Sequence, residues 1–198
     1  MACVGDPAPS WPLPERTDLR DRLLGAYVSR HGYHDATHLA EVVARLEELG
    51  RGGDPVLLLA AWFHDAVYDG QAGAEERSAQ LAETELAADG SAGLDVAEVA
   101  RLVRLTEHHD AEPGDDRGEA LCDADLAILA ADPDRYREYA AGVRTDYAAY
   151  PDADFRAGRL AVLEELAGRE VLFRTAYGRE QWEPRARANL AAEISALR

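Results

Sequence analysis

Apolar residues recur along most of this chain with the spacing of helices rather than strands. No segment of useful length alternates apolar and polar residues, as a half-buried strand would. The pattern predicts helices over about residues 18–29, 35–49, 54–68, 74–88, 96–109, 119–130, 133–149, 153–168 and 183–197. Since no internal repeat or linker interrupts them, we expect an all-α fold, a single helical bundle over residues 17–198.

One predicted helix is apolar on every side. Its start is clear, because Asp54 is a good N-cap and Pro55 suits the first helical position. The residues that follow, Val56 to Tyr68, are VLLLAAWFHDAVY. A helix without a polar face is buried, so we expect this one to lie at the centre of the bundle.

Residues 1–16 do not share the helical pattern. This stretch holds four prolines and no apolar run that could act as a signal peptide, which favours a mobile N-terminal tail. The longest apolar run in the chain, Val56 to Phe63, is shorter than the roughly 20 residues that cross a bilayer, so we expect no membrane partner. Cys3 lies in the tail and Cys122 in a helix-like segment, which argues against a disulfide framework and favours the reducing cytoplasm.

The formal net charge is −17 at pH 7. Such a surface repels nucleic-acid backbones and anionic membranes, so a nucleic-acid polymer is not an expected partner. All 21 basic residues are arginine. Any side chain that clamps a phosphate must therefore be an arginine, whose guanidinium binds phosphate oxygens in pairs.

The sharpest chemical feature is His64 followed by Asp65, late in the buried helix. Burying such groups without a partner costs several kcal/mol, and a divalent metal would supply the partner. The apolar segment around residues 121–129 also holds Asp123 and Asp125, which point in nearly opposite directions on a helix. Taken singly, each of these groups has an ordinary alternative as a helix cap or a salt-bridged core residue.

A further histidine, His38, lies among apolar residues of the second predicted helix. Taken alone, it is more often a hydrogen-bonded core residue than a ligand. His34 precedes it by one helical turn, but Gly32 makes it doubtful that the helix begins early enough to include His34. We therefore favour His38 as a metal ligand and consider His34 for substrate binding.

The order of these groups resembles the signature of the HD-domain superfamily of metal-dependent phosphohydrolases, with His38, then His64 and Asp65, then Asp125. The Ala-Asp-Leu step at Asp125 resembles the last ligand helix of that superfamily, which favours Asp125 over Asp123. The resemblance implies an all-α HD fold and one divalent cation (Mn, Co, Ni, Zn, Mg or Fe) held by two histidines and two aspartates. It also implies hydrolysis of a small phosphorylated metabolite, with a nucleotide as the expected class.

Further motifs resemble one subgroup of predicted HD phosphohydrolases over about residues 17–198. They are YHxxxH from Tyr33, WFHDxVYD from Trp62, ExSA from Glu76, TxxH from Thr106, DxDLAIL from Asp123, RxxY from Arg144 and ARxNL from Ala186. Two positions depart from that subgroup, since Asp35 stands where it tends to have Asn and Ala130 where it often has Gly. Neither departure removes a ligand.

Two acidic residues are candidates for general acid or base. Asp69 lies four residues after Asp65, so on a continuous helix it would share its face. Glu76 belongs to one of the subgroup motifs. The alternative for both is a solvated surface acid.

Four residues are candidates for substrate binding. His109 lies three residues after Thr106 and is expected to face inward, where it would hold substrate or, with Glu76, a second metal. Arg144 and Arg187 are candidate phosphate clamps, with a structural ion pair as the alternative for each. His34 completes this set.

Two other functions remain open at this point. A di-iron HD oxygenase needs more ligands between the His-Asp pair and the last aspartate, where only His108 and His109 occur, so its second site would require Glu76. A non-catalytic binding module is the other alternative, and the intact ligand set argues against it.

Overall fold

The computed structural model describes residues 9–87 and 93–198, and these residues form nine α-helices joined by turns, with no strand. The helices are α1 Thr17–Val28, α2 Ala36–Glu48, α3 Pro55–Phe63, α4 Ala74–Ala87, α5 Val96–Leu105, α6 Asp116–Leu126, α7 Pro133–Asp146, α8 Asp152–Gly168 and α9 Glu183–Leu197. A 3₁₀ turn, Ala127–Ala130, extends α6, and a π-helical turn, Gly178–Trp182, leads into α9. The predicted all-α fold is confirmed.

Two aspartate N-caps, one of them the predicted Asp54, stabilise helices that carry the site. The Asp35 carboxylate accepts hydrogen bonds from the backbone N–H groups of Thr37 and His38 at the start of α2. The Asp54 carboxylate accepts hydrogen bonds from the backbone N–H groups of Val56 and Leu57 at the start of α3. Aspartate at this position satisfies N–H groups that have no partner within the helix.

Helix α3 ends at Phe63, well before its predicted end. The backbone N–H groups beyond it bond to side chains of other helices, that of Asp65 to the Tyr27 hydroxyl and that of Val67 to the Ser78 hydroxyl. These bonds to other helices replace the regular backbone hydrogen bonds of a helix. His64 and Asp65 therefore lie in a turn rather than within a helix.

Helix α5 also ends early, at Leu105 rather than near His109. His109 has a φ of 51°, in the left-handed region that a continuing helix does not use. Helix α6 begins at Asp116 rather than near residue 119, because Asp115 caps it by accepting a hydrogen bond from Gly118 N–H.

Two clusters of buried apolar residues form the core. The first surrounds α3, whose residues from Val56 to Phe63 are all buried, as predicted for a central helix. The second joins the 3₁₀ turn, α7, α8 and α9 around Leu163 and Phe173. Helix α6 runs from the first cluster to the second, and its last turn carries Asp125.

The residues before α1 are part of the fold. Trp11 packs edge-on against Trp62 with 5.0 Å between ring centroids, and the Trp62 indole N–H donates to the Ser10 carbonyl. The expected mobile tail therefore does not include residues 9–16, and residues 1–8 lie outside the described part of the chain. No helix among the described residues is long and apolar enough to cross a membrane.

Candidate metal centre and its cleft

Four side chains from three helices converge on one buried point. His38 comes from α2, His64 and Asp65 from the turn that ends α3, and Asp125 from α6. The Nε2 atoms of His38 and His64 are 3.0 Å apart. Asp65 Oδ2 lies 3.5 and 3.1 Å from these two nitrogens, and Asp125 Oδ1 lies 3.2 and 3.7 Å from them. Ligand atoms of His38, His64 and Asp65 all lie within 4.8 Å of one another, so this cluster could hold a metal ion.

The hydrogen bonds around these groups fit a cation site. His64 Nδ1 donates to the Ala61 carbonyl at 2.8 Å, so when the ring is neutral its lone pair is on Nε2, the atom that faces His38. Such a bond to the second ring nitrogen is the usual support of a metal-binding histidine. Asp65 Oδ2 is buried and has no hydrogen-bond partner. An imidazole lone pair and an unpartnered carboxylate oxygen at the same point are the donors that divalent transition metals prefer.

The electrostatics of the cluster favour positive charge at its centre. Burial would raise the pKa of Asp65 and of Asp125, but the charge of His64 and of the neighbouring histidines holds both pKa values well below the ordinary one. Burial would lower the pKa of His38, but the neighbouring carboxylates of Asp125 and Asp65 raise it to about 10. Both carboxylates therefore remain anionic and attract a cation or a proton.

The two aspartates of α6 have different partners, as their opposite directions on the helix require. Asp123 accepts hydrogen bonds from the backbone N–H groups of Arg174 and Thr175, at 2.7 and 2.8 Å, and from the Thr175 hydroxyl. Asp123 therefore fixes the chain before α9, whereas Asp125 faces the two histidines. The geometry favours Asp125 as the fourth donor.

Two predicted substrate-binding histidines lie beside the cluster. His109 Nε2 is 2.8 Å from Asp125 Oδ2. His34 Nδ1 is 2.7 Å from Asp146 Oδ2, and its ring stacks on Tyr68 with 4.1 Å between centroids. Both histidines line the same cleft as the donor set. His109 does face inward, but it does so from a turn rather than from the predicted helix.

The two predicted acid or base residues are not brought to the cluster. Asp69 lies on the surface and is paired with Arg77 at 2.9 and 2.7 Å. The helical-turn argument that linked Asp69 to Asp65 is wrong, because α3 ends before both residues. Glu76 is exposed and paired with Arg104, and its neighbour Glu75 lines the cleft instead.

Arg144 and Arg187, the two predicted phosphate clamps, make structural contacts. The Arg144 guanidinium donates to the carbonyls of Tyr147 and Tyr150 at 2.8 and 3.2 Å and to the Asp152 carboxylate. The Arg187 guanidinium donates to the carbonyls of Ala167 and Arg169 at the end of α8. It also donates to the Glu183 carboxylate, one turn earlier on α9. Neither side chain lines the cleft.

Sequence reasoning missed the arginines that do line the cleft, which are Arg159, Arg169 and Arg174. Arg169 donates to the carbonyls of His108 and His109, and Arg174 pairs with Asp110 at 3.0 Å. Both therefore approach the segment that carries His109 beside the donor set. No local motif identifies Arg169 and Arg174, because they reach the site from the end of α8 and from the segment that follows it.

The cleft measures about 1060 Å³, and His64, Asp65 and Asp125 of the donor set contribute to its wall. Comparison of the chain with models of protein families, with curated proteins and with solved structures finds no match. The function is therefore proposed from the donor set and from the walls of this cleft.

Proposed function

We propose that the protein is a metal-dependent phosphohydrolase that acts on a small phosphate ester, with a nucleotide as the expected class. One divalent cation would be held by His38, His64, Asp65 and Asp125. The observation that carries the proposal is the convergence of these four side chains, of which all but Asp125 are buried, at the wall of a large cleft. The resemblance of their order along the chain to the HD-domain signature supports the same reading.

His38, His64, Asp65 and Asp125 would hold the cation, which when bound would lower the pKa of water toward about 7 and neutralise phosphate charge. His109 hydrogen-bonds Asp125 and so fixes the direction of that carboxylate. Asp146 orients the His34 ring at the cleft wall, where that ring is available to a substrate oxygen.

Arg174 is the phosphate-binding group that best fits this cleft. It lines the cleft, and its carboxylate partner Asp110 is largely exposed, so water or substrate oxygens can exchange with that partner. Its guanidinium can bind two phosphate oxygens at once. This residue takes the role that the sequence suggested for Arg144 and Arg187.

The di-iron alternative has less support. Its second metal site required Glu76, whose carboxylate lies 2.6 Å from Arg104 Nε and outside the cleft. The proposal retains the cytoplasmic location expected from the sequence and a small phosphorylated metabolite as partner.

The proposal is tested by metal analysis combined with a screen of phosphate esters in the presence of Mn²⁺, Co²⁺, Ni²⁺ or Mg²⁺. We expect one divalent ion per chain and phosphate release that is lost in His64→Ala. His31→Ala is the matched control, because His31 is exposed. Two irons per chain would favour the oxygenase, and a wild-type protein that binds no metal would favour a non-catalytic module.

A further inference from the structure

Part of the cleft wall, formed by residues other than the donor set, is apolar and exposed to solvent. It is formed by the turn between α7 and α8 and by the outer face of α8, and we call it the aromatic end, defined by Tyr147, Tyr150, Phe155 and Val162. Five large hydrophobic residues of the described chain are exposed, and three of them are here: Tyr147 at 42%, Tyr150 at 52% and Val162 at 49%. Single exposed apolar residues are common, but their concentration in one concave wall is typical of a binding site.

The aromatic end is held in place by the rest of the protein. The centroid of the Tyr147 ring is 5.8 Å from that of Tyr150 and 6.2 Å from that of Phe155. Arg144 binds the carbonyls of both tyrosines and covers the Phe155 ring at 4.9 Å. The structural role of Arg144 is therefore to fix the turn that presents these rings.

Aromatic side chains connect this end to the donor set. Tyr68 lines the cleft and stacks on His34, whose ring centroid is 5.7 Å from that of His38. Burial and the neighbouring Tyr147 raise the pKa of Tyr68, as expected for two phenols in contact at a partly buried position. The aromatic end is therefore connected to the donor set through Tyr68 and His34.

The charges along the cleft favour an uncharged group at the aromatic end. Among the described residues, Arg169 and Arg174 bind the 108–110 segment near the donor set, whereas Arg159 is nearly buried and committed to Glu193 and the Tyr139 hydroxyl. The remaining charged residues of the α8 wall and its end are acidic, namely Asp154, Glu165 and Glu170. A second phosphate at this end would meet carboxylates rather than an available cation.

We propose that the aromatic end binds an uncharged aromatic leaving group, so that the substrate is a nucleoside monophosphate rather than a doubly phosphorylated nucleotide. This inference rests on the proposed hydrolysis of a phosphate ester. In that reaction water forms a new bond to phosphorus, the ester P–O bond breaks, and the nucleoside oxygen leaves with a proton. The rings of Tyr147 and Tyr150 would stack on the base, which every nucleobase permits.

The first test measures binding of adenosine, which has no phosphate and cannot be hydrolysed, to the full chain by calorimetry. Loss of one ring that stacks on the base should weaken binding by about tenfold, so Tyr147→Ala and Tyr150→Ala should each raise Kd by that factor. Tyr150→Phe, which keeps the ring, should bind like the wild type and shows that the site still folds. Tyr177→Ala is the matched control, because Tyr177 is also exposed but lies outside the cleft.

The second test compares the kcat/KM of wild type and Tyr150→Ala for adenosine monophosphate and for glycerol phosphate. We expect about a tenfold loss for the nucleotide and none for glycerol phosphate. The proposal would be overturned if the wild type did not bind adenosine. It would also be overturned if both alanine variants bound adenosine as tightly as the wild type, or if the two substitutions changed only the oligomeric state of the protein. If no ester is hydrolysed, the phosphohydrolase proposal fails, and the adenosine result still decides whether the aromatic end binds a base.

Discussion

At the scale of single residues, the donors are oriented by groups that are not themselves donors. The Ala61 carbonyl fixes the tautomer of His64, and His109 fixes the carboxylate of Asp125. Partners of this kind ordinarily contribute about 10–100-fold to metal affinity. These bonds hold the candidate donors in place without a cation, which would reduce the cost of binding one.

The two aspartates of α6 provide a direct comparison of metal binding with structural support. Asp125→Asn removes an anionic donor and should weaken Mn²⁺ binding by more than about 100-fold, beyond the usual effect of an indirect partner. Asp123→Asn should keep the metal but lower the free energy of unfolding by about 1–3 kcal/mol, since it disturbs bonds to Arg174 and Thr175. Competition with a coloured chelator and urea unfolding measure the two effects. The reverse pattern would assign the fourth donor to Asp123.

Residue type and pattern predicted that His38, His64 and Asp65 lie together, because a histidine or an aspartate in an apolar segment requires a partner. They did not separate Asp123 from Asp125, and that choice came from the resemblance to the HD-domain signature. Asp69 was misplaced because the Tyr27 and Ser78 hydroxyls end α3 from distant parts of the chain. Contacts of that kind leave no local periodic signal.

At the scale of helices, the caps set the position of each donor. Asp35 begins α2 three residues before His38, and Asp54 begins the helix that delivers His64. The starts of α2 and α3 could be predicted from these two aspartates. The ends of α3 and α5 could not, because they depend on tertiary contacts. The same limit applies to the aromatic end, because no local pattern shows that residues 147–150 lie beside the cleft.

Asp54 tests the capping account of α3. Asp54→Ala should lower the free energy of unfolding by about 1 kcal/mol, since Val56 N–H and Leu57 N–H lose their acceptor. Asp54→Asn is the matched variant, because it keeps a cap and loses only the charge that faces Arg117. Equal losses in the two variants, measured by urea unfolding, would show that the ion pair rather than the cap stabilises this helix.

The ion pair of Asp54 also predicts a pH dependence. Partial burial would raise the pKa of Asp54, but hydrogen bonds from Arg117 and from Val56 N–H lower it below the ordinary value. A carboxylate with a depressed folded-state pKa stabilises the fold above its unfolded pKa, near 4, and loses that contribution as the pH falls. The stability difference between wild type and Asp54→Asn should therefore shrink below about pH 4. A difference that grows with acidity would contradict this.

At the scale of the whole molecule, the candidate metal centre lies between the two halves of the core. His64 and Asp65 follow a helix of the first apolar cluster, and Asp125 lies on the turn of α6 that enters the second. A cation held between them, as we propose, would link the clusters and neutralise the two carboxylates. Metal binding is therefore expected to stabilise the entire fold.

A metal that binds only the folded state adds about 2.7 kcal/mol at a concentration of 100 Kd. For a chain of this size, that should raise Tm by about 5–10 °C. Chelation should lower Tm by this amount and added Mn²⁺ should restore it, as measured by thermal unfolding. Asp65→Ala is the control, since its Tm should respond little to either treatment. An equal response in both proteins would place the stabilising metal elsewhere.

The most direct measurement of the central claim determines Mn²⁺ content and phosphate release together in the wild type, Asp65→Ala and Asp69→Asn. The account predicts that the wild type binds one ion and releases phosphate from adenosine monophosphate, and that Asp65→Ala does neither. Asp69→Asn should match the wild type in both, because Asp69 is paired with Arg77 outside the cleft. Full phosphate release by Asp65→Ala would contradict the account.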